Sequence, residues 1–348
     1  MKKLLLILLF IANLAQAERS SFDAGWKFQL GNVPGAEAST FNDADWRALD
    51  IPHDWSIEGE YRKGNPMGGT GGYLPAGIGW YRETIQVPND WKGKHVEIAF
   101  DGVYMNSTVW ANGQELGTRP YGWSSFAYDI SRAVDTADSI TIAVRVDNDK
   151  QPSARWYTGS GIYAHTWIDV KDKVHLARDG VFVRTQASTV NLDAEVRNTT
   201  DETRAMDVNV AIVDPSGKTV TSQRNSVIVA PHSNQFSQFE LMAPNHLRWD
   251  LDSPHLYDAV VTLESDGQTV DMSSTRFGFR DIEWKPATGM WLNGKNVKLQ
   301  GVCNHQDAGA LGAAVPDKIL RFRIEQLKAM GCNAIRTAHH PQTPVFYD

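Results

Sequence analysis

The sequence lacks most features that would place it among membrane, nucleic-acid-binding or nucleotide-binding proteins. Its one long apolar run, residues 4–12, is too short to cross a bilayer. Acidic residues outnumber basic ones by 41 to 34, and a chain with net charge −7 is poorly suited to nucleic acid or an anionic membrane. There is no P-loop, no Gly-x-Gly-x-x-Gly after a strand and no Gly-x-Ser-x-Gly. With 42% hydrophobic and 22% charged residues, the chain is neither disordered nor a polytopic membrane protein.

The N-terminus has the three parts of a secretion signal. Lys2 and Lys3 form a basic start, residues 4–12 form the apolar segment, and residues 15–17 have the small-x-small form of a cleavage site. The sequence therefore predicts a signal peptide over residues 1–17, a mature chain that begins at Glu18, and a periplasmic or secreted protein with no membrane contact after cleavage. A buried N-terminal helix is the alternative.

Only two cysteines occur, Cys303 and Cys332. An oxidising compartment would permit a disulfide. However, Cys303 follows one predicted strand and Cys332 precedes the parallel strand beside it, so the pair would lie at opposite ends of a sheet layer. A disulfide requires Cα atoms within about 7 Å. We expect two buried free thiols.

Residues 18–171 are predicted to be all-β. Strands are indicated by alternating residues at 80–87, 95–100 and 138–146, by the hairpin around Asn112-Gly113, and by residues 161–170. The Gly- and Pro-rich stretch 64–79 has no period and is expected to be a surface loop. Many short strands with no convincing helix favour a jelly-roll β-sandwich.

Residues 172–280 are predicted to form a second β-sandwich. Six or seven short strands with turns at residues 214–217 and 266–267 are typical of an immunoglobulin-like domain. Nothing catalytic stands out there, and its expected role is to hold its neighbours at a fixed angle.

From residue 281 the pattern changes to a strand, a helix and a second strand. After a hairpin at Asn293-Gly294, a strand is predicted over 297–302, a helix over 317–330 with Pro316 at its first position and Gly331 after its end, and a strand over 333–336. Such a βαβ unit is parallel by default. A (β/α)₈ barrel needs about 250 residues, so we expect 281–348 to be the incomplete start of a TIM barrel that continues beyond Asp348.

Polar loops follow both predicted parallel strands. In a (β/α)₈ barrel these loops form the active site, so His305 and His339 are expected on one rim. Either histidine could instead be structural. Zinc is the competing chemistry, with His305, Asp307, His339 and His340 as conceivable ligands, although adjacent histidines in an extended segment point in different directions.

The chain resembles glycoside hydrolase family 2, of the β-galactosidase kind, over nearly its whole mature length and in the family's order. The segments that carry the resemblance are 51–55 (IPHDW), 79–82 (GWYR), 101–106 (DGVYMN), 109–113 (VWANG), 119–122 (RPYG), 125–126 (SF), 159–163 (GSGIY), 301–305 (GVCNH), 333–336 (NAIR) and 339–341 (HHP).

The resemblance implies a sugar-binding jelly roll, an immunoglobulin-like domain and a (β/α)₈ catalytic barrel. Family members hydrolyse β-glycosides with retention, using one Glu as acid/base and another as nucleophile. Both lie on later barrel strands, so the resemblance places the acid/base and the nucleophile beyond Asp348 and predicts that residues 1–348 alone are inactive.

The resemblance also implies that His305 and His339 bind substrate hydroxyls. Asn304 and Asp307 flank the first histidine, where Asn-His-Gln-Asp stands in place of the usual Arg-His-Glu. Asn106 of the jelly roll, and a residue within 147–156, are the further substrate-binding candidates that it implies.

The resulting prediction is an exported β-galactosidase acting on a β-galactoside or oligosaccharide. The alternatives are a family 2 β-glucuronidase or β-mannosidase, and a non-catalytic carbohydrate-binding β-sandwich protein. No cofactor is assigned and no metal site is predicted in this chain, while a divalent cation and a homo-oligomer remain open for the full-length enzyme.

Overall fold

A computed structural model describes residues 18–348, so the predicted signal peptide lies outside the described residues. The described chain divides into two compact units. One comprises residues 18–170 with 299–348, and the other comprises residues 171–298. Within 18–348 no helix is both long and apolar enough to cross a membrane.

The first ten strands form a two-sheet β-sandwich, as the jelly-roll prediction required. A six-stranded sheet has the order β3-β2-β4-β9-β6-β7, and a four-stranded sheet has the order β1-β10-β5-β8. The strand bounds are β1 Glu18–Ser21, β2 Trp26–Leu30, β3 Arg47–Leu49, β4 Gly77–Gln86, β5 His95–Phe100, β6 Ser107–Ala111, β7 Gln114–Arg119, β8 Phe126–Asp129, β9 Ser139–Asn148 and β10 Thr166–Lys171.

Alternation along β9 shows how this sandwich forms. Ile140, Ile142, Val144 and Val146 are fully buried in the core between the sheets, because successive side chains of a strand point to opposite faces. The sequence prediction missed one short helix, α1 Ser131–Thr136, which follows β8. Its six residues are too few to show a helical period.

The second unit contains an immunoglobulin-like sandwich of seven strands. Sheets β11-β12-β15 and β14-β13-β16-β17 enclose an apolar core. The bounds are β11 Val174–Gln186, β12 Thr189–Asn198, β13 Arg204–Val213, β14 Thr219–Val229, β15 Ser233–Met242, β16 Tyr257–Ser265 and β17 Gln268–Phe277. Strand β11 was not predicted. Its pairing with β12 shifts register between Leu176 and Val181, which interrupts the alternation that sequence analysis relies on.

A small antiparallel sheet completes this unit: β18 Ile282–Lys285, β19 Gly289–Leu292 and β20 Lys295–Asn296. Leu292 pairs with Lys295 around Asn293 and Gly294, whose φ angles are 52° and 78°. Two successive positive φ angles are what a two-residue hairpin turn requires, so the predicted hairpin is confirmed.

The predicted βαβ unit is present in the first unit as β21 Gly301–Asn304, α2 Asp317–Ala329 and β22 Ala334–Thr337. The two strands pair in parallel, from Gly301 opposite Ala334 to Asn304 opposite Thr337. Gly331 follows the helix with φ 88°, as expected for a helix end. Pro316 is the N-cap rather than the first helical residue, because its ψ of 145° is extended.

Both cysteines are free, but the prediction that they are buried is wrong. Cys303 is exposed and Cys332 is partly exposed. Cys303 lies opposite Arg336 in the parallel register, and its sulfur is 3.8 Å from the Arg336 guanidinium on the uncovered face of this two-stranded sheet.

Candidate functional site: a cleft at the carboxyl ends of two parallel strands

The parallel pairing of β21 and β22 brings the two predicted histidines together. His305 follows Asn304 at the end of β21, and His339 lies two residues after Thr337 at the end of β22. Their ring centroids are 5.2 Å apart, with the ring planes at 88°. The expectation that both imidazoles lie on one rim is therefore met in the geometry.

The loop after β21 is held by the helix that follows it. Arg323 of α2 donates to the carbonyl oxygens of His305, at 3.2 Å, and of Asp307. The amide of Ala338 donates to the carbonyl oxygen of Asn304 at 3.0 Å, which ties the start of this loop to β22. These hydrogen bonds engage backbone carbonyl oxygens of the loop and none of its side chains.

Arg336 sets the hydrogen-bonding role of His339. Its guanidinium donates to Nδ1 of His339 at 3.1 Å, so the neutral ring carries its hydrogen on Nε2. Loss of hydration, the charge of Arg336 and the nearby His305 lower the pKa of His339 below its ordinary value. His339 is thus a neutral imidazole whose Nε2–H can donate to a ligand oxygen.

Trp156, contributed by the jelly roll, is packed against both histidines. Its ring centroid is 4.7 Å from that of His339 and 6.1 Å from that of His305. Its Nε1 is buried and has no hydrogen-bond partner within residues 18–348. Sequence analysis named only the range 147–156 here. No local pattern separates Trp156 from its neighbours, because the contact joins segments far apart in the chain.

Trp156 and His305 border a cleft of about 630 Å³, and His339 lies beside them but is not among the residues that line it. The loop after β21 lines it, together with Thr70 of the Gly-rich surface loop and the exposed Cys303. Asn304 and Asp307 also line it, and their side chains have no hydrogen bond to any other described residue. An aromatic face surrounded by unpaired amide, carboxylate and imidazole groups suits a ligand that is apolar on one face and rich in hydroxyls at its edge, such as a sugar.

His340 adjoins this group, with its ring centroid 6.4 Å from that of Trp156, but its closest contacts are elsewhere. Its ring stacks on Trp123 at 3.7 Å between centroids, and its Nε2 is 2.9 Å from Oε1 of Gln306. Burial lowers its pKa, and the nearby His305 and His339 act in the same direction. The adjacent side chains of His339 and His340 therefore have different hydrogen-bond partners. Across residues 18–348, no group of three or more His, Cys, Asp or Glu side chains is arranged to hold a metal ion.

Asn106 is the candidate that the structure does not bring to the cleft. Its side-chain amide donates to the backbone oxygen of Asp147 at 3.0 Å, and it is not among the residues that line the cleft. Its role as a sugar contact stays a prediction.

Comparison with known protein families assigns each part of the chain. Residues 20–178 match the sugar binding domain of glycosyl hydrolases family 2, residues 174–280 match a further model described as glycosyl hydrolases family 2, and residues 285–348 match the family's TIM barrel domain. The chain belongs to glycosyl hydrolases family 2. The fold predicted from the sequence, with a sugar-binding sandwich, an immunoglobulin-like sandwich and the first elements of a TIM barrel, is thereby confirmed.

Several known proteins are similar to this one over nearly the whole chain. A putative beta-glucuronidase of Formosa agariphila is 40% identical over 99% of this chain and 33% of its own length. Beta-galactosidase BoGH2A of Bacteroides ovatus is 39% identical over 95% of this chain and 40% of its own length. A crystal structure of a beta-glycosidase from Bacteroides vulgatus superposes with a TM-score of 0.87 at 40% identity, covering 95% of this chain and 42% of that one. The chain thus spans well under half of these relatives.

Proposed function

We propose that this family 2 chain supplies the sugar-binding part and the first barrel elements of an exported retaining glycosidase that acts on terminal β-D-galactosides. The observation that carries the proposal is the meeting of the rings of His305, His339 and Trp156, two of which, His305 and Trp156, line the cleft. In this proposal the indole covers the apolar face of the sugar ring, while Nε2–H of His339 donates to a hydroxyl oxygen.

The proposal places both catalytic glutamates outside residues 1–348. Retention requires two carboxyl groups about 5–5.5 Å apart, one to protonate the leaving oxygen and one to attack the anomeric carbon. In the barrel part, residues 299–348, the one glutamate is Glu325. It is ion-paired with Arg321 at 2.9 Å on an exposed face of α2. We therefore expect the 348-residue chain to bind sugar without hydrolysing it.

A β-glucuronidase is the second candidate. Relatives at 40% and 27% identity bear that name, and a glucuronide carries a carboxylate that a cation in the cleft would favour. Arg336 supplies a guanidinium beside His339.

Hydrolysis by the protein that the whole reading frame encodes tests the proposal. Nitrophenyl β-D-galactoside, β-D-glucuronide and β-D-mannoside are compared at equal concentration, and proton NMR records the anomer released first. We expect the fastest hydrolysis with the galactoside and initial release of the β-anomer. Preference for the glucuronide moves the assignment to the second candidate, and binding without hydrolysis of any substrate favours a carbohydrate-binding protein.

Export has its own test. Expression with the native N-terminus in a Gram-negative host is expected to give a periplasmic or secreted product whose N-terminal sequence begins at Glu18. Cytoplasmic product that retains Met1 contradicts it.

A further inference from the structure

The most densely hydrogen-bonded carboxylate near the cleft is that of Asp54, which is 2% exposed. Oδ1 accepts hydrogen bonds from the amides of Ser56 and Ser160, at 3.0 and 2.9 Å. Oδ2 accepts from the hydroxyl of Tyr157, at 2.5 Å, and from the amide of Ala313, at 2.9 Å. Each oxygen of the carboxylate therefore accepts two hydrogen bonds.

A carboxylate in this position is costly to bury. Desolvation raises the pKa of Asp54, while the bonds from Ala313, Tyr157 and the two serine amides act in the opposite direction. Four donors are the kind of compensation that a buried carboxylate needs. The Asp54 carboxylate therefore holds in place the segments that donate hydrogen bonds to it.

Two of those donors belong to segments that build the cleft. Tyr157 is the neighbour of Trp156, which packs on both histidines, and it lines the cleft itself. Ala313 lies in the connection between β21 and α2, the same connection that carries His305. Asp54 thus joins a jelly-roll segment to a barrel segment, within one compact unit of the chain.

Two glycines make this approach possible. A Cβ at Gly159 would lie 2.5 Å from Oδ2 of Asp54, and one at Gly312 would lie 2.3 Å from it. Their φ angles are 68° and 65°, in the region that favours glycine. Without a Cβ at these two positions, the backbone can pass close to the carboxylate. The amide of the residue that follows each glycine then donates a hydrogen bond to it.

A second bridge runs parallel to the first. Nε2 of Gln306, in the loop after β21, donates to the carbonyl oxygen of Tyr157 at 3.3 Å. Tyr157 is consequently held at its hydroxyl by Asp54 and at its backbone by the barrel loop. Such double attachment fixes the adjacent Trp156 relative to His305 and His339.

We propose that Asp54 is a positioning residue for the sugar site, which acts through Tyr157 and Ala313 to keep Trp156 in register with His305 and His339. The inference rests on the proposed function of this cleft and deepens it. Misplacement by about 1 Å can cost about 100-fold in rate, so the arrangement would matter although Asp54 itself is not placed at the sugar.

The first test uses Asp54→Asn and Tyr157→Phe in the protein that the whole reading frame encodes. An Asn side chain keeps the shape but turns an NH₂ group toward two of the four donors. Phe removes the hydroxyl alone. Matched controls are Asp271→Asn, another buried carboxylate that accepts backbone amides, and Tyr257→Phe, another tyrosine whose hydroxyl is hydrogen-bonded.

With the glycoside that the unsubstituted protein hydrolyses fastest, we expect kcat/KM to fall about 10- to 100-fold in Asp54→Asn and about three- to tenfold in Tyr157→Phe. KM should rise at least threefold in both. A merely structural defect would reduce the folded fraction and thus kcat, leaving KM unchanged. Both controls should stay within about twofold in KM. An unchanged KM in both test variants overturns the proposal.

The second test does not depend on activity. The 348-residue chain is labelled with 5-fluorotryptophan, which gives at most twelve ¹⁹F signals, and Trp156→Phe identifies the signal of Trp156. Tyr157→Phe and Asp54→Asn should shift or broaden that signal while those of Trp80 and Trp91 stay in place. A Trp156 signal unmoved by both variants overturns the proposal even if the enzyme is active. If the unsubstituted protein hydrolyses no glycoside, the proposed function fails while this spectrum still decides the role of Asp54.

Discussion

The imidazole rings of His305 and His339 stand nearly perpendicular, with centroids 5.2 Å apart, at the ends of two parallel strands. His305 lines the cleft, and His339 lies beside it at the end of the neighbouring strand. A ligand with adjacent hydroxyl groups can therefore contact both rings at once.

Replacing either histidine of this pair should reduce the stabilisation of the transition state for sugar hydrolysis. Loss of a buried hydrogen bond costs about 1–3 kcal/mol, so His339→Ala and His305→Ala should each lower kcat/KM by about 5- to 150-fold in the protein that the whole reading frame encodes. The measurement is steady-state kinetics with nitrophenyl β-D-galactoside.

The matched control for this prediction is His232→Ala. His232 is exposed in the second unit and pairs with Asp201 at 2.7 Å. It should leave kcat/KM unchanged. Equal losses in His232→Ala and His339→Ala would show that the pair of His305 and His339 has no special role.

Trp156 should contribute an aromatic face to sugar binding. Stacking beyond the burial of area is worth about 0.5–1.5 kcal/mol, so Trp156→Ala should weaken sugar binding about 2- to 12-fold. Trp156→Phe should recover the stacking part. Titration calorimetry of the 348-residue chain with a galactoside measures both, and equal affinities for all three forms contradict the prediction.

Cys303 should be the faster-reacting of the two thiols. It is exposed beside the Arg336 guanidinium, whereas Cys332 is only partly exposed, and reactivity depends on access. A thiol reagent that absorbs on reaction should show a fast phase in the 348-residue chain. Cys303→Ser should abolish the fast phase, and Cys332→Ser should retain it. The reverse pattern would contradict the exposure of Cys303.

His165 should make the folded chain less stable at alkaline pH, where its imidazole loses a proton. Its Nδ1 is 2.6 Å from Asp23 and its Nε2 is 3.1 Å from Asp317. The hydrogen bond to Asp23 is the largest cause, and the pKa of His165 rises to about 9. Because the folded state holds this proton more tightly than the unfolded state, the stabilisation is complete below about pH 6.5 and is lost as pH rises through about 9.

The expected effect is a melting temperature that falls by about 2–4 °C between pH 6.5 and 9.5 for each kcal/mol lost. His165→Gln should flatten this slope and leave the stability near pH 9.5 close to that of the unsubstituted chain. Glu83 titrates earlier, since burial raises its pKa to about 7, and it is present in both forms. Parallel curves for the two forms would contradict the assignment to His165.

Local patterns in the sequence determined much of the fold. The alternation of Ile140, Ile142, Val144 and Val146 predicted a half-buried strand, and these side chains are in the core. Asn293-Gly294 predicted a hairpin, and Gly331 predicted the end of a helix. Each signal is confined to a few neighbouring residues, where backbone geometry and side-chain direction are set by short-range physics.

The meeting of His305 and His339 could also be predicted, because neighbouring strands joined by a helix pair in parallel and their carboxyl ends share one edge. Strand β11 and the exposure of Cys303 could not. A register shift interrupts the alternation of β11. The exposure of Cys303 depends on which other residues pack against it.

The sequence by itself determined which segments become strands and helices, and which polar residues end the two parallel strands. Only the tertiary structure decided that Trp156 lies over the histidines and that Asp54 accepts a hydrogen bond from Ala313, 259 residues away. The physical reason is that periodicity records which face of an element is buried. It carries no information on which distant segment covers that face, and this depends on how the folded segments fit together.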